Sequence, residues 1–309
     1  MQTVNRASRH FVDAVSSGIT SAVAAVLFLG ISSMPVSADD YISPELVKVT
    51  TPYYRPGTGP FSPPMGTYNY TVSWQGISAA SAAVTFSKKE DKYVVEAVAR
   101  TYSGIDLLYK LRYTAIGVLS MSDLTPVSLT IDHQENSRIK NIEVLFSPDG
   151  GEVSSTRTRV GSTEKKALKF QPNNMTLDPI GAGFLARSLD WKVGESKTFD
   201  VFNGKSRYLI TLTAVRRETI EHQGKLHDCF VISPRVRNLT TTKAVEKLRE
   251  AFIYVTADDR RDVLKIVSSV FIGSVVTELE SFVSTETEST PVLIARSDGK
   301  EVAGRAQMR

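Results

Sequence analysis

The stretch Asp178-Pro179-Ile180-Gly181-Ala182-Gly183-Phe184-Leu185-Ala186-Arg187-Ser188-Leu189-Asp190-Trp191 is where the chain changes its period. On either side of it apolar residues alternate with polar ones, the pattern of half-buried β-strands. Within it Ile180, Phe184, Leu185 and Leu189 recur at helical spacing. Asp178 suits an N-cap, and Pro179 suits the first helical position, where its missing N–H has no intrahelical partner anyway. Lys192-Val193-Gly194 reads as the exit turn. Gly181 and Gly183 each cost about 1 kcal/mol of helix propensity, which implies a packing reason for them. The stretch therefore predicts one short helix lying against a sheet.

The flanks define that sheet. Tyr68, Tyr70, Val72 and Trp74 share one face of a strand, and Ala80, Ala82, Val84 and Phe86 share a face of the next. Lys88 to Asp91 makes a charged turn into a strand over 93–101, and residues 104–110 read as a helical turn or broad loop. Strands follow over 113–119, 129–133, 141–146 and 153–160, with Pro148-Asp149-Gly150-Gly151 as a strong turn signal. Beyond the helix, runs at 198–202 and 207–215 flank Asn203-Gly204, a dipeptide suited to a type I′ hairpin. Runs at 226–236, 251–256, 263–267 and 274–282 complete the set, with hairpin-length connections throughout. The fold class implied is mainly β: a large curved antiparallel sheet, half-barrel-like, with one short helix on its concave side.

The ends read differently. Arg6 and Arg9, an apolar run over 19–31 and Val36-Ser37-Ala38 have the order of an export signal cleaved after Ala38. An h-region of about 13 residues is short for a bilayer span, so the mature chain is expected in the periplasm with no transmembrane span. Residues 39–66 hold Pro44, Pro52, Pro56, Pro60, Pro63 and Pro64 and predict an extended, mobile leader. Residues 67–283 are expected to form a single β-rich domain. From 284 onward Ser, Thr, Glu and Lys dominate, which predicts a disordered tail.

The formal net charge is only +4, and the basic residues fall singly or in short pairs such as Lys88-Lys89 and Arg216-Arg217. That argues against a nucleic-acid partner. Cys229 is the only cysteine, so no intrachain disulfide forms, and Phe230, Val231 and Ile232 beside it predict a buried thiol.

Candidate chemistry is thin. A two-residue turn at Gln223-Gly224 would pair Ile220 with His227 and His222 with Lys225, leaving both histidines on one face. Asp228 would point the other way, so the pair lacks a metal-ligand spacing and reads as a solvated hairpin. No nucleophile elbow, phosphate loop or Ser/His/Asp arrangement is present. Gly181-Ala182-Gly183 lacks the third glycine and the parallel strand of a dinucleotide site. Asp132 and Glu135 fall on opposite faces of a strand, and Asp258 and Asp259 sit at a hairpin tip. The expectation is a protein that is not an enzyme, with no cofactor and no metal site.

The order of features resembles the DUF3108 family, bacterial exported proteins of unassigned function. The resemblance rests on Tyr70-Thr71-Val72-Ser73-Trp74-Gln75-Gly76-Ile77, on Leu177-Asp178-Pro179 and on Trp191-Lys192-Val193-Gly194-Glu195. It rests also on Val255-Thr256-Ala257-Asp258-Asp259-Arg260-Arg261 and Phe271-Ile272-Gly273-Ser274-Val275-Val276-Thr277-Glu278-Leu279. It departs at Arg261-Asp262-Val263, where a proline would be expected. The resemblance implies a curved sheet like those of periplasmic lipoprotein carriers, an analogy of fold alone.

The remaining constellation is aromatic: Tyr68, Tyr70, Trp74, Phe86, Tyr93, Tyr109 and Tyr113. Either these rings fill the core, or part of the concave face stays open as an apolar cleft. The candidate cleft residues are Tyr70, Trp74, Phe86, Ile180, Phe184 and Leu189. The function they would serve is non-catalytic binding of a lipid or apolar segment in envelope biogenesis or transport. With a filled core, the chain would instead be a structural or assembly partner of another cell-envelope protein.

Overall fold

A computed structural model describes residues 41–55, 63–148, 151–171, 174–241, 250–269 and 274–285. The export signal, its cleavage site and the tail beyond 285 lie outside these residues, as do 56–62 of the leader, Asp149-Gly150 and Phe271-Ile272-Gly273.

Among the described residues fifteen strands form one sheet. The first wing is β1 (Gly66–Trp74), β2 (Ile77–Lys89), β3 (Lys92–Thr101), a one-turn α1 (Ser103–Asp106), β4 (Leu111–Ser120), β5 (Pro126–Glu135), β6 (Arg138–Phe146), β7 (Glu152–Arg159) and β8 (Ser162–Lys169). The second is β9 (Thr176–Leu177), α2 (Pro179–Ser188), β10 (Ser196–Phe202), β11 (Arg207–His222), β12 (Lys225–Asn238), β13 (Glu250–Thr256), β14 (Val263–Ser269) and β15 (Ser274–Ser284). Each wing is a meander, and β1 pairs antiparallel with β15 to join them. Among the described strands only the two-residue β9 runs parallel to its neighbour, β10.

Connectivity shows that this sheet is rolled. Strands β8 and β9 are its two edges, yet the chain passes from one to the other through residues 170–175. Fifteen strands laid flat would measure roughly 67 Å across, whereas that link reaches at most about 25 Å. The edges must therefore approach, and alternation puts one face of every strand inside. On β1, Tyr68, Tyr70 and Val72 are buried while Asn69 and Thr71 are half-buried.

Helix α2 lies within the roll. Asp178 caps it as the sequence implies, accepting from the amides of Ile180 and Gly181 at 2.8 and 3.0 Å. All ten of its residues are buried. The glycines follow from this closeness. A Cβ on Gly117 of β4 would stand 2.8 Å from Ile180, and one on Gly181 would stand 2.8 Å from Leu119. Each glycine gives the other element room.

Three expectations need correction. Among the described residues there are fifteen strands, two more than the runs that alternation shows, because β8 (Ser-Thr-Glu-Lys-Lys-Ala-Leu-Lys) is too charged to show a hydrophobic period and β9 too short to show any. Asn203-Gly204 is not a two-residue type I′ turn. It opens a four-residue loop in which the Asn203 side chain accepts from the amides of Lys205 and Ser206 at 3.1 and 2.9 Å, with positive φ at Gly204 alone of the two. Gln223-Gly224 does form the expected turn, with positive φ at both residues and His222 opposite Lys225.

The third correction concerns the leader, which over residues 41–55 is packed against the roll. Tyr41 bridges to Thr241 and donates to the Lys205 carbonyl at 3.0 Å. The fully buried Arg207 forks onto the fully buried Asp200, Nε to Oδ1 at 2.8 Å and Nη2 to Oδ2 at 2.6 Å. Its remaining nitrogen donates to the carbonyl oxygens of Val47 and Pro44 at 2.8 and 3.3 Å. Thr51 donates twice to Asn174, which in turn donates to Asp200. Pro44 opens a short 3₁₀ turn over Pro44–Leu46, and polar groups on and around β9–β11 hold the segment in place.

Candidate functional site

Three of the stretches that carry the family resemblance meet at α2. At its start stands Asp178. At its end the Trp191 indole N–H donates to the Ala186 carbonyl at 2.9 Å, satisfying an acceptor that the helix leaves free. The exit turn closes with Lys192 donating to the Glu195 carboxylate at 3.1 Å and Gly194 at φ 87°.

The β13–β14 loop supplies the third hold. Arg187, the only charged residue in α2, donates Nε to the Arg261 carbonyl at 2.9 Å and Nη2 to the Arg260 carbonyl at 3.1 Å. Its guanidinium lies over the Phe86 ring at 4.8 Å and stands 3.6 Å from Asp262. Asp262 also accepts from the Tyr68 hydroxyl at 2.7 Å and from Arg260 at 2.8 Å. This loop also explains the absence of a proline. Arg261 has φ 51°, which a proline ring forbids, and the Asp262 amide donates to Thr256 Oγ1 at 2.9 Å.

Between α2 and the first strands lies an apolar cleft of about 50 Å³. Tyr70, Phe86, Ile180 and Phe184 line it, joined by Gly183 and Arg187. The Phe184 ring on its wall lies 5.5 Å from the Phe86 ring and 5.0 Å from that of Tyr93. Two predicted residues are elsewhere. Trp74 follows a bulge between Val72 and Ser73, which breaks the alternation and leaves the indole half-buried at the strand end. Leu189 is buried at the C-cap of α2, past the cleft. Arg187 was missed in the sequence, where its isolation among apolar and small residues was the available signal.

Asp178 is the site's most perturbed carboxyl. Its Oδ2 is buried without a hydrogen-bond partner, and burial pushes its pKa up to about 6 against the pull of two amide donors. Cys229 is fully buried in mid-strand, and burial, reinforced by Asp228, Asp258 and Glu218, raises its thiol to about 11. The rings of His222 and His227 lie 6.2 Å apart. Among the described residues no three His, Cys, Asp or Glu side chains gather as metal ligands would.

The family model described as "Protein of unknown function (DUF3108)" matches residues 69–280. The chain belongs to that family. No curated protein matches it. Among solved structures it is similar to a "Beta-barrel-like Protein of Domain of Unknown Function DUF1849 from Brucella abortus", with 7% identity and a TM-score of 0.49, covering 74% of this chain and 99% of that one. A "putative lipoprotein" from Parabacteroides distasonis ATCC 8503 aligns at 10% identity with a TM-score of 0.29, covering 76% and 100%. Among the described residues no helix is long and apolar enough to cross a membrane.

Proposed function

We propose that this is a non-catalytic binding protein of the bacterial cell envelope, exported with cleavage after Ala38, that holds a lipid tail or an apolar segment of a partner. The observation that carries this reading is the cleft between α2 and β1–β3, apolar on nearly every side with the Arg187 cation at its border. At about 50 Å³ the space is a third of the roughly 150 Å³ that takes up benzene. Entry of a chain therefore turns on Phe184 swinging out from between Phe86 and Tyr93. No acid–base pair faces the cleft, and on this reading no bond is made or broken.

The same small volume favours a second reading, in which the core is filled and the protein serves as a structural or assembly partner of another envelope protein. Native mass spectrometry of protein taken from the periplasm separates the two. Retained lipid supports the first. A bare mass, together with no uptake of an apolar fluorescent probe by either the wild type or Phe184→Ala, supports the second.

A further inference from the structure

The inner face of β5–β7 carries a set of cations that the core does not need. Cross-strand register aligns Tyr113, His133, Lys140 and Arg159 in one row over β4–β7. In the next row Ile142 stands opposite Arg157, and Arg157 opposite Glu164. The 203–206 loop comes down on this face. Ser155 donates to the Gly204 carbonyl at 2.7 Å, and a Cβ on Gly204 would lie 2.3 Å from Ile142. That contact brings Lys205 to the same place.

Lys140, Arg157, Arg159, Lys166 and Lys205 thus gather around two carboxylates, Glu135 and Glu164, leaving a local net charge of +3. Glu164 is shared by Arg157 at 2.9 Å and Lys166 at 3.0 Å. Glu135 accepts from the Tyr109 hydroxyl at 3.0 Å. Among the described residues the charged ends of Lys140, Arg159 and Lys205 have no ion-pair partner, and the Arg157 Nε and His133 Nε2 atoms are buried with no hydrogen-bond partner. Like charges gathered this way repel; Arg159 is exposed at the rim, whereas Lys140, Arg157 and Lys205 are half-buried and less screened. Burial first, then Arg159, Arg157 and Lys205, lowers the Lys140 ammonium to about 8, and burial and Lys140 hold His133 neutral, at about 4. A fold gains nothing from this arrangement unless an anion completes it.

We propose that the inner face of β5–β7, beneath the 203–206 loop, is a binding site for a phosphate group. Two guanidiniums offer planar forks matched to its oxygens, two or more ammoniums supply charge to a dianion, and neutral His133 offers a further donor. The phosphate comes either from a small soluble phosphate ester or from an anionic lipid headgroup. The site does not depend on the apolar cleft, which lies between α2 and β1–β3, so either can fail alone.

The test is a thermal melt of the full exported chain in inorganic phosphate against sodium chloride of equal ionic strength. Phosphate at several times its dissociation constant should raise the wild-type melting temperature by about 2–4 °C. The double variant Lys140→Met/Arg159→Gln should lose that rise while melting no lower than the wild type, since it removes repulsion. Lys205→Gln, on the loop, should reduce phosphate affinity at least about fivefold and serves if the double variant does not fold. Vesicles of phosphatidylglycerol against phosphatidylcholine identify the source. Sedimentation with the former that inorganic phosphate competes away assigns a lipid headgroup, and a phosphate-dependent melt without sedimentation assigns a soluble ester. A wild type that responds to neither phosphate nor vesicles overturns the proposal, as does a response that survives both sets of substitutions.

Discussion

Arg187 on the last turn of α2 faces Asp262 in the β13–β14 loop across 3.6 Å, both side chains nearly sealed from solvent. A helix inside a rolled sheet is thereby tied to a hairpin 73 and 74 residues further on, since the same guanidinium holds the carbonyls of Arg260 and Arg261. Removing one partner leaves the other charge buried. Arg187→Met should lower stability by roughly 2–4 kcal/mol, the range reduced because Arg260 still pairs with Asp262. Urea denaturation measures it. A double-mutant cycle with Asp262→Asn should return a coupling well above zero, and additive losses would refute the pairing.

Asp178 makes stability depend on pH in the less usual direction for a carboxyl. Its folded pKa, about 6, lies above its unfolded value near 3.8, so the folded chain holds the proton more tightly. Its contribution is therefore most favourable below about pH 4 and is lost as pH rises through 6, by an amount on the order of 2–3 kcal/mol. Asp178→Asn keeps a capping oxygen and removes the titration. Unfolding free energies at pH 4.5 and 7.5 should fall more for the wild type than for the variant; equal changes would sink the assignment.

The paired glycines are a packing device. Gly117→Ala and Gly181→Ala each put a methyl 2.8 Å from a neighbouring side chain. Overpacking should outweigh the gain in helix propensity, so each is expected to destabilise by roughly 1–3 kcal/mol. A raised melting temperature for Gly181→Ala would show that α2 and β4 have slack between them.

Cys229 should resist thiol reagents in the native protein, because it is fully buried and its thiol is raised to about 11. Modification should track global unfolding across a urea series. Stoichiometric labelling within seconds in native buffer would contradict the strand position.

Much of this architecture is legible in the sequence because alternation and a single change of period are local signals. The cap at Asp178, the hairpin at Gln223-Gly224 and the buried Cys229 all follow from neighbours along the chain. What escaped depends on partners far away. Pro44, Val47 and Thr51 look like leader until Arg207 and Asn174 reach them. Lys140, Arg157, Arg159 and Lys205 look scattered until strand register and one loop bring them together. Trp74 reads as part of the stripe because a bulge that breaks the alternation of faces leaves no mark on the sequence pattern.

Because β1 is stitched to β15, the first and last strands of the domain meet in the middle of the sheet. Asn69 and Ser281, 212 residues apart, are register partners and share a hydrogen bond. Apart from the short parallel β9, each wing is assembled from antiparallel strands that are neighbours in sequence, and has what it needs as soon as its own strands exist. The seam between them has to wait for the final strand, so a chain threading out of a channel in sequence order remains two unjoined halves until its end arrives. Closing a loop of that length is slow compared with forming a hairpin. In that interval the backbone edge of β1 and the interior of both halves stand open, and the protein is most vulnerable to aggregation and proteolysis.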